Sequence, residues 1–104
     1  MSITVHKELK TKSVTVTITE NLTFDSYKEF SESYKSLASE KFAQYIIDLR
    51  QIEYLDSSAL GMLLRFKETV AAADQAIVLR VSKGAVADIL KVSQFDRLFK
   101  LQIA

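Results

Sequence analysis

Residues 47–64 have the sequence IDLRQIEYLDSSALGMLL, which contains a change from strand to helix. The apolar run at residues 45–49 predicts a buried strand. A short polar loop follows, and from Ser57 apolar residues recur at helical spacing to about residue 73. A buried strand that leads through a loop into an amphipathic helix is typical of an α/β fold with parallel strands.

Two strands are predicted before this segment. Residues 3–9 alternate between apolar and polar side chains except at Lys7, and residues 13–19 alternate throughout and are rich in β-branched residues. Both strands are expected to be half-buried. The short Lys10-Thr11-Lys12 segment between them favours a β-hairpin.

A first helix is predicted over residues 26–39. Ser26 with Glu29 fits a capping box, and Asp25 is a rival N-cap. Apolar residues at spacings of three and four define the face expected to be buried. These residues are Tyr27, Phe30, Tyr34 and Leu37.

The chain after residue 73 predicts three further elements. Residues 76–81 form a second buried-strand run, Ser82 is expected to cap a third helix, and residues 99–103 alternate as a closing strand. The predicted order is β-β-α-β-α-β-α-β, in one domain over residues 1–104. Right-handed crossovers then give a mixed, mostly parallel sheet with helices packed on it.

Composition excludes several classes of function. The chain has 104 residues with 14 Lys+Arg against 13 Asp+Glu, and this balance disfavours a nucleic-acid binder with a basic face. It has no cysteine and one histidine, so a cysteine-ligated metal or a histidine cluster is excluded. Its two glycines are far apart, so the spacing of a phosphate-binding loop is absent. We therefore expect no cofactor and no metal.

The sequence also predicts no membrane insertion. Its longest uncharged runs, such as residues 57–64, are much shorter than the roughly 18 apolar residues of a membrane span. The first residues lack the apolar stretch of a signal peptide. The expected location is the cytoplasm.

One side of the second helix is not apolar. At helical spacing its polar and small residues fall together within about 80°. These residues are Ser57, Gly61, Arg65, Glu68 and Ala72. The remaining residues form a broad apolar arc that is expected to face the core.

Two interpretations of the start of this helix stay open on residue types alone. Asp56 or Ser57 is a favoured N-cap worth about 1 kcal/mol, and Gly61 would then pack closely on the sheet. Alternatively, Ser57 is a phosphorylation site, because the positive end of the helix dipole tolerates the added negative charge. Gly61 would then leave bare backbone for a partner.

The segment from Tyr54 to Leu64 resembles the STAS domain (sulfate transporter and anti-sigma factor antagonist) in its stand-alone anti-anti-sigma form. The resemblance rests on a strand that ends Ile-Asp-Leu, a loop, and the run Asp-Ser-Ser-Ala-Leu-Gly followed by apolar residues. The element order resembles the family along almost the whole chain. Two positions depart from many relatives, which have Gly at Ala59 and a Gly in the turn formed here by Glu20-Asn21-Leu22; Asn tolerates positive φ there.

The resemblance implies a regulatory binding protein rather than an enzyme. Its partner is expected to be an anti-sigma factor or serine kinase of the histidine-kinase-like ATPase fold, which phosphorylates Ser57 and thereby breaks the complex. A serine phosphatase restores it. Asp56 is implied as the acidic neighbour and Ser58 as the second hydroxyl, and the partner-binding set is completed by Gly61, Arg65 and Glu68.

Two other classes remain. The first is a constitutive STAS subunit of a larger complex, such as a lipid-transport ABC system. The second is an enzyme with Ser57 as nucleophile, which needs an adjacent base. His6 is expected on the polar face of the sheet and Lys67 in the apolar arc of the helix, so neither suits that role.

Overall fold

Strands and helices alternate after an initial hairpin. The structure is a computed structural model that describes residues 2–104. The strands are β1 (Ile3–Glu8), β2 (Ser13–Ile18), β3 (Gln44–Asp48), β4 (Ile77–Val81) and β5 (Lys100–Ile103). The α-helices of the described residues are α1 (Tyr27–Tyr34), α2 (Ser57–Thr69) and α3 (Ala85–Val92), with 3-10 helices at Phe24–Ser26, Lys35–Ser39 and Phe95–Arg97.

The five strands form one mixed sheet in the order β1-β2-β3-β4-β5. β1 pairs antiparallel with β2, and the pairs β2–β3, β3–β4 and β4–β5 are all parallel. The predicted fold class and element order are therefore confirmed. The parallel strands bring the carboxyl end of β3, and the loop that leads to α2, to one edge of the sheet.

The core lies on one face of the sheet. The strand register places Val16 beside Ile47 and Ile47 beside Leu79, and all three side chains are buried. α2 adds Leu63 and Phe66, which are also fully buried. The burial of α2 against this row of side chains fixes the helix, and with it the direction in which Ser57 points.

The expectation that β1 is half-buried is wrong beyond its first residue. Ile3 is buried, whereas Val5 is 36% exposed and Leu9, after the end of the strand, is 83% exposed. β1 is an edge strand that pairs only with β2. Its side chains therefore lack a neighbouring strand on their outer side.

The observed first helix, α1, differs from the predicted one in its ends and in its caps. Regular α-helix covers only Tyr27–Tyr34, between two 3-10 segments. The Ser26–Glu29 capping box does not form. The Ser26 hydroxyl accepts from the Thr23 N–H at 3.2 Å, and the Glu29 carboxylate accepts from the backbone N–H and the hydroxyl of Ser2.

α2 ends four residues earlier than predicted, at Thr69. Ala71 then adopts a left-handed backbone with φ 54°, which turns the chain toward β4. Ala72 is consequently outside the helix and does not belong to its polar side. The expected cap of α3 is also wrong, because Gly84 is the N-cap and the Ser82 hydroxyl donates to the Arg50 carbonyl at 3.2 Å.

Within residues 2–104, no helix combines the length and the apolar character needed to cross a membrane.

Candidate functional site

Asp56 is the N-cap of α2. Its backbone is extended, and its Oδ1 accepts from the Ala59 N–H at 3.0 Å. Ser57 is the first residue of the helix, and Ser57 and Ser58 are both exposed. Their hydroxyls have no hydrogen-bond partner among the described residues. The start of α2 therefore presents two free hydroxyl groups to solvent, beside a capping carboxylate.

A second loop is joined to the one that precedes α2. Leu22 and Leu55 form a parallel β-bridge, in which the Leu22 N–H donates to the Tyr54 carbonyl and the Asp56 N–H donates to the Leu22 carbonyl, each at 3.3 Å. Asp56 Oδ2 also accepts from the Phe24 N–H at 3.2 Å. The Asp56 carboxylate thus holds both the start of α2 and the segment that leads into α1.

The side chain of Asn21 also joins these two loops, and we refer to the place where they meet as the junction. Its Oδ1 accepts from the backbone N–H groups of Glu53 at 2.9 Å and Tyr54 at 3.0 Å. The positive φ considered for Asn21 is not found, since the non-glycine residues with positive φ in the described chain are elsewhere. Asn21 therefore acts through its side chain, which sequence reasoning missed because both of its partners are 32 or more residues away.

Three aromatic side chains around this junction are exposed. Phe24 is 71% exposed, Tyr27 is 47% exposed and Tyr54 is 50% exposed. The prediction that Tyr27 faces the core is wrong, because the buried residues of α1 are Phe30 and Tyr34. Phe24 and Tyr27 line a cavity of about 260 Å³ together with Ser58, Gly61, Met62 and Arg65.

The polar side of α2 is exposed, as its helical spacing predicts. Gly61, Arg65 and Glu68 are exposed along with Ser57. The interpretation in which Gly61 packs closely on the sheet is wrong, since a Cβ added there would meet no atom within 4 Å. The part that these residues play in partner binding stays a prediction.

A buried carboxylate anchors the beginning of the same loop. Asp48, at the end of β3, is 8% exposed, and its two oxygens accept from Arg50 Nε at 3.0 Å and Nη2 at 2.8 Å. The hydrogen bond from the Arg50 side chain holds the pKa of Asp48 below its ordinary value, and Asp48 in turn raises the pKa of Arg50. The carboxylate is therefore charged at neutral pH and fixes the turn after β3.

The residues weighed as bases for Ser57 are placed elsewhere. His6 lies in the β1–β2 hairpin opposite Thr15, and Lys67 is half-buried with its Nζ 2.8 Å from Asp74 Oδ1. Over residues 2–104, no group of three His, Cys, Asp or Glu side chains is placed to hold a metal ion.

Comparison with known proteins places the chain in a family. The family model described as "Mlab, STAS domain" matches residues 5–102. The chain belongs to the STAS domain family. A STAS-domain containing protein of Pseudomonas aeruginosa is 34% identical over 101 residues, which cover 97% of this chain and 99% of that protein.

Solved structures of anti-sigma factor antagonists share the fold. An anti-sigma factor antagonist from Mycobacterium paratuberculosis superimposes with a TM-score of 0.80 at 18% identity, over 97% of this chain and 86% of that one. The anti-sigma factor antagonist SpoIIAA, solved in its unphosphorylated form, gives a TM-score of 0.60 at 16% identity, over 93% of this chain and 86% of that one. At these identities the likeness shows that this STAS chain has the fold of anti-sigma factor antagonists.

The exposure of Gly61 makes a first prediction. Gly61→Ala should raise the free energy of unfolding by about 0.8–1.0 kcal/mol, because alanine loses less backbone entropy in a helix and meets no neighbour here. Urea denaturation measures the change. Gly84→Ala is the matched control, and it should be destabilising because Gly84 has φ 134°. A loss of stability in Gly61→Ala would show that this side of α2 is covered.

Proposed function

We propose that this STAS protein is an anti-sigma factor antagonist-like regulator whose partner complex is switched by phosphorylation of Ser57. The observation that carries the proposal is the exposed, unbonded hydroxyl of Ser57 at the first position of α2, next to the N-cap Asp56. A phosphoryl group there adds about −1.5 to −2 charges at the positive end of the helix dipole. The helix tolerates this charge, so the change falls on the surface that faces the partner.

The partner proposed is an anti-sigma factor or serine kinase of the histidine-kinase-like ATPase fold, and a serine phosphatase reverses its action. Asp56, Ser57, Ser58, Gly61, Arg65 and Glu68 are the proposed contact residues. The protein itself is a binding module rather than an enzyme, and it works in the cytoplasm, where the kinase has ATP. The support is the exposure of this side of α2 and the STAS family membership.

Phosphorylation can be tested directly with ATP and a candidate partner kinase of the histidine-kinase-like ATPase fold. Intact-mass analysis should show one added phosphate on the wild-type chain and on Ser58→Ala, and none on Ser57→Ala. Ser57→Asp should raise the Kd for the kinase at least about tenfold, because a negative charge now faces an unmatched surface. A phosphate located on Ser58, or a wild-type chain that remains unmodified, would contradict the assignment.

A constitutive subunit of a larger assembly, such as a lipid-transport ABC system, is the second candidate. The observation in its favour is the exposure of Phe24, Tyr27 and Tyr54, since permanent interfaces are more apolar than transient ones. It predicts that a stable complex forms equally well with wild type and Ser57→Ala and is never phosphorylated. Size-exclusion chromatography of the complex, with and without ATP, separates the two functions.

A further inference from the structure

The surface beside Ser57 continues as a groove between α1 and α2. Its first part is the cavity of about 260 Å³ walled by Phe24, Tyr27 and Gly61. Its second part, a depression of about 420 Å³, begins at Tyr27 and Arg65, which line both parts, and extends to Thr69. We refer to the two parts as the α1–α2 groove. From Ser58 to Thr69 the helix rises about 16 Å, the length of roughly 11 residues of another helix.

The two parts of the groove differ in chemistry. The first part has exposed aromatic side chains and bare backbone at Gly61, and none of its lining residues is acidic. The second part is lined by three cations, Lys28, Lys35 and Arg65, with Glu32 as the acidic group. Glu68 stands beside Arg65 farther along α2.

The three cations are available to a ligand. The ion pairs of the described residues involve Lys7, Arg50 and Lys67, so Lys28, Lys35 and Arg65 have no carboxylate within 4.0 Å in this part of the chain. Tyr34 lines the same part of the groove and adds no negative charge, since a phenol is neutral at neutral pH and burial raises its pKa further. The groove therefore presents free positive charge next to an apolar cavity.

We propose that the α1–α2 groove binds an acidic amphipathic helix of the partner protein. An aliphatic side chain of that helix enters the cavity between Phe24, Tyr27 and Gly61, and its carboxylates lie against Lys28, Lys35 and Arg65. Helices that dock in grooves bind through apolar side chains at positions i, i+3 or i+4, and i+7. Complementary charge then fixes the orientation of the helix.

This inference rests on the proposed function in one respect, because the groove begins at Ser58, immediately after the proposed phosphorylation site. A phosphoryl group on Ser57 stands at the aromatic end of the groove. It repels the carboxylates of an acidic helix that approaches this end. The groove thus supplies a physical reason why phosphorylation of Ser57 releases the partner.

The test uses three fluorescein-labelled peptides of about 14 residues with the same leucine spacing. The peptides differ only in their polar positions, which are all Glu, all Gln or all Lys. Fluorescence anisotropy with the wild-type chain should show the Glu peptide binding at least about tenfold more tightly than the Gln peptide, and the Lys peptide not binding. Equal binding of the Glu and Lys peptides, or no binding of the Glu peptide, would overturn the proposal.

Variants locate the binding. Arg65→Glu and Lys28→Glu should each weaken the binding of the Glu peptide at least about tenfold. Phe24→Ala should weaken the binding of both the Glu and the Gln peptides. Lys10→Glu makes the same charge change in the exposed β1–β2 hairpin and should leave the affinity unchanged. Thermal melts establish that each variant is folded. An equal loss in Lys10→Glu would refute the groove as the site. Tighter binding to anionic phosphatidylglycerol vesicles than to the Glu peptide would refute an acidic helix as its occupant.

One further variant distinguishes binding in the α1–α2 groove from the proposed switch, the release of the partner by phosphorylation of Ser57. Ser57→Asp should weaken the binding of the Glu peptide. If it leaves the affinity unchanged while Arg65→Glu abolishes binding, the groove is supported and the proposed release mechanism is refuted. If the kinase phosphorylates Ser57 but the Glu peptide does not bind the unphosphorylated wild-type chain, the switch is supported and the groove is refuted.

Discussion

Phe66→Ala should lower the free energy of unfolding by about 3–5 kcal/mol, the largest effect we expect from a single substitution in this chain. Phe66 is fully buried on the core side of α2, and its ring lies 4.9 Å from Tyr34, 6.0 Å from Phe30 and 6.3 Å from Tyr45, centroid to centroid. Removal of the ring leaves a cavity where α1, α2 and β3 meet. Native domains have only about 5–15 kcal/mol of stability in total, so much of it would be lost.

Phe24→Ala is the matched control, because it removes the same atoms from a side chain that is 71% exposed. Its effect on unfolding should remain within about 0.5 kcal/mol, since surface substitutions rarely exceed that value. Urea denaturation of the two variants gives both numbers. Similar losses in both, or a loss below about 1 kcal/mol in Phe66→Ala, would mean that α2 does not pack on the core as the structure has it.

The sequence predicts those elements whose apolar pattern coincides with their burial. β2 alternates cleanly, and Val14, Val16 and Ile18 are buried where the alternation places them. In β1 the alternation is broken at Lys7, and Val5, which fits the alternation, is still 36% exposed because β1 is an edge strand. The sequence does not indicate the end of α2, for a different reason. Residues 71–73 are alanines with high helix propensity, and the turn at Ala71 depends on the path of the chain to β4.

Some residues of the candidate site can likewise be predicted from the sequence, whereas others cannot. Ser57, Gly61, Arg65 and Glu68 could be placed on one exposed side of α2 from local spacing alone. Phe24 lies in the 3-10 segment before α1, and no local signal indicates that its ring borders the same surface. Asn21 reaches its partners across more than 30 residues, so its role depends on the tertiary fold. The sequence therefore indicates the helix with the hydroxyl groups, and the structure adds the aromatic side chains of Phe24 and Tyr27 beside it.

Asp56→Ala should destabilise the fold by about 1–2 kcal/mol, because it removes the cap of a 13-residue helix. The wild-type carboxylate uses separate oxygens for its two tasks: Oδ1 accepts from Ala59 and Oδ2 accepts from Phe24. Alanine leaves both N–H groups without this partner. Urea denaturation measures the loss, and amide hydrogen exchange at Ala59 and Phe24 should become faster together.

Asp56→Asn separates the two tasks, because asparagine has a single carbonyl oxygen and is as good an N-cap as aspartate. That oxygen is expected to keep the bond from Ala59, so stability should fall by less than half as much as in Asp56→Ala. The side-chain NH₂ group that replaces Oδ2 cannot accept from Phe24, and exchange at Phe24 should therefore accelerate while exchange at Ala59 remains slow. If Phe24 is held in place for docking by this bond, both variants should weaken the Glu peptide, although only the alanine variant loses its cap. Unchanged exchange at Phe24 in both variants would show that the Leu22–Leu55 bridge alone joins the two loops, and that Asp56 serves α2 only.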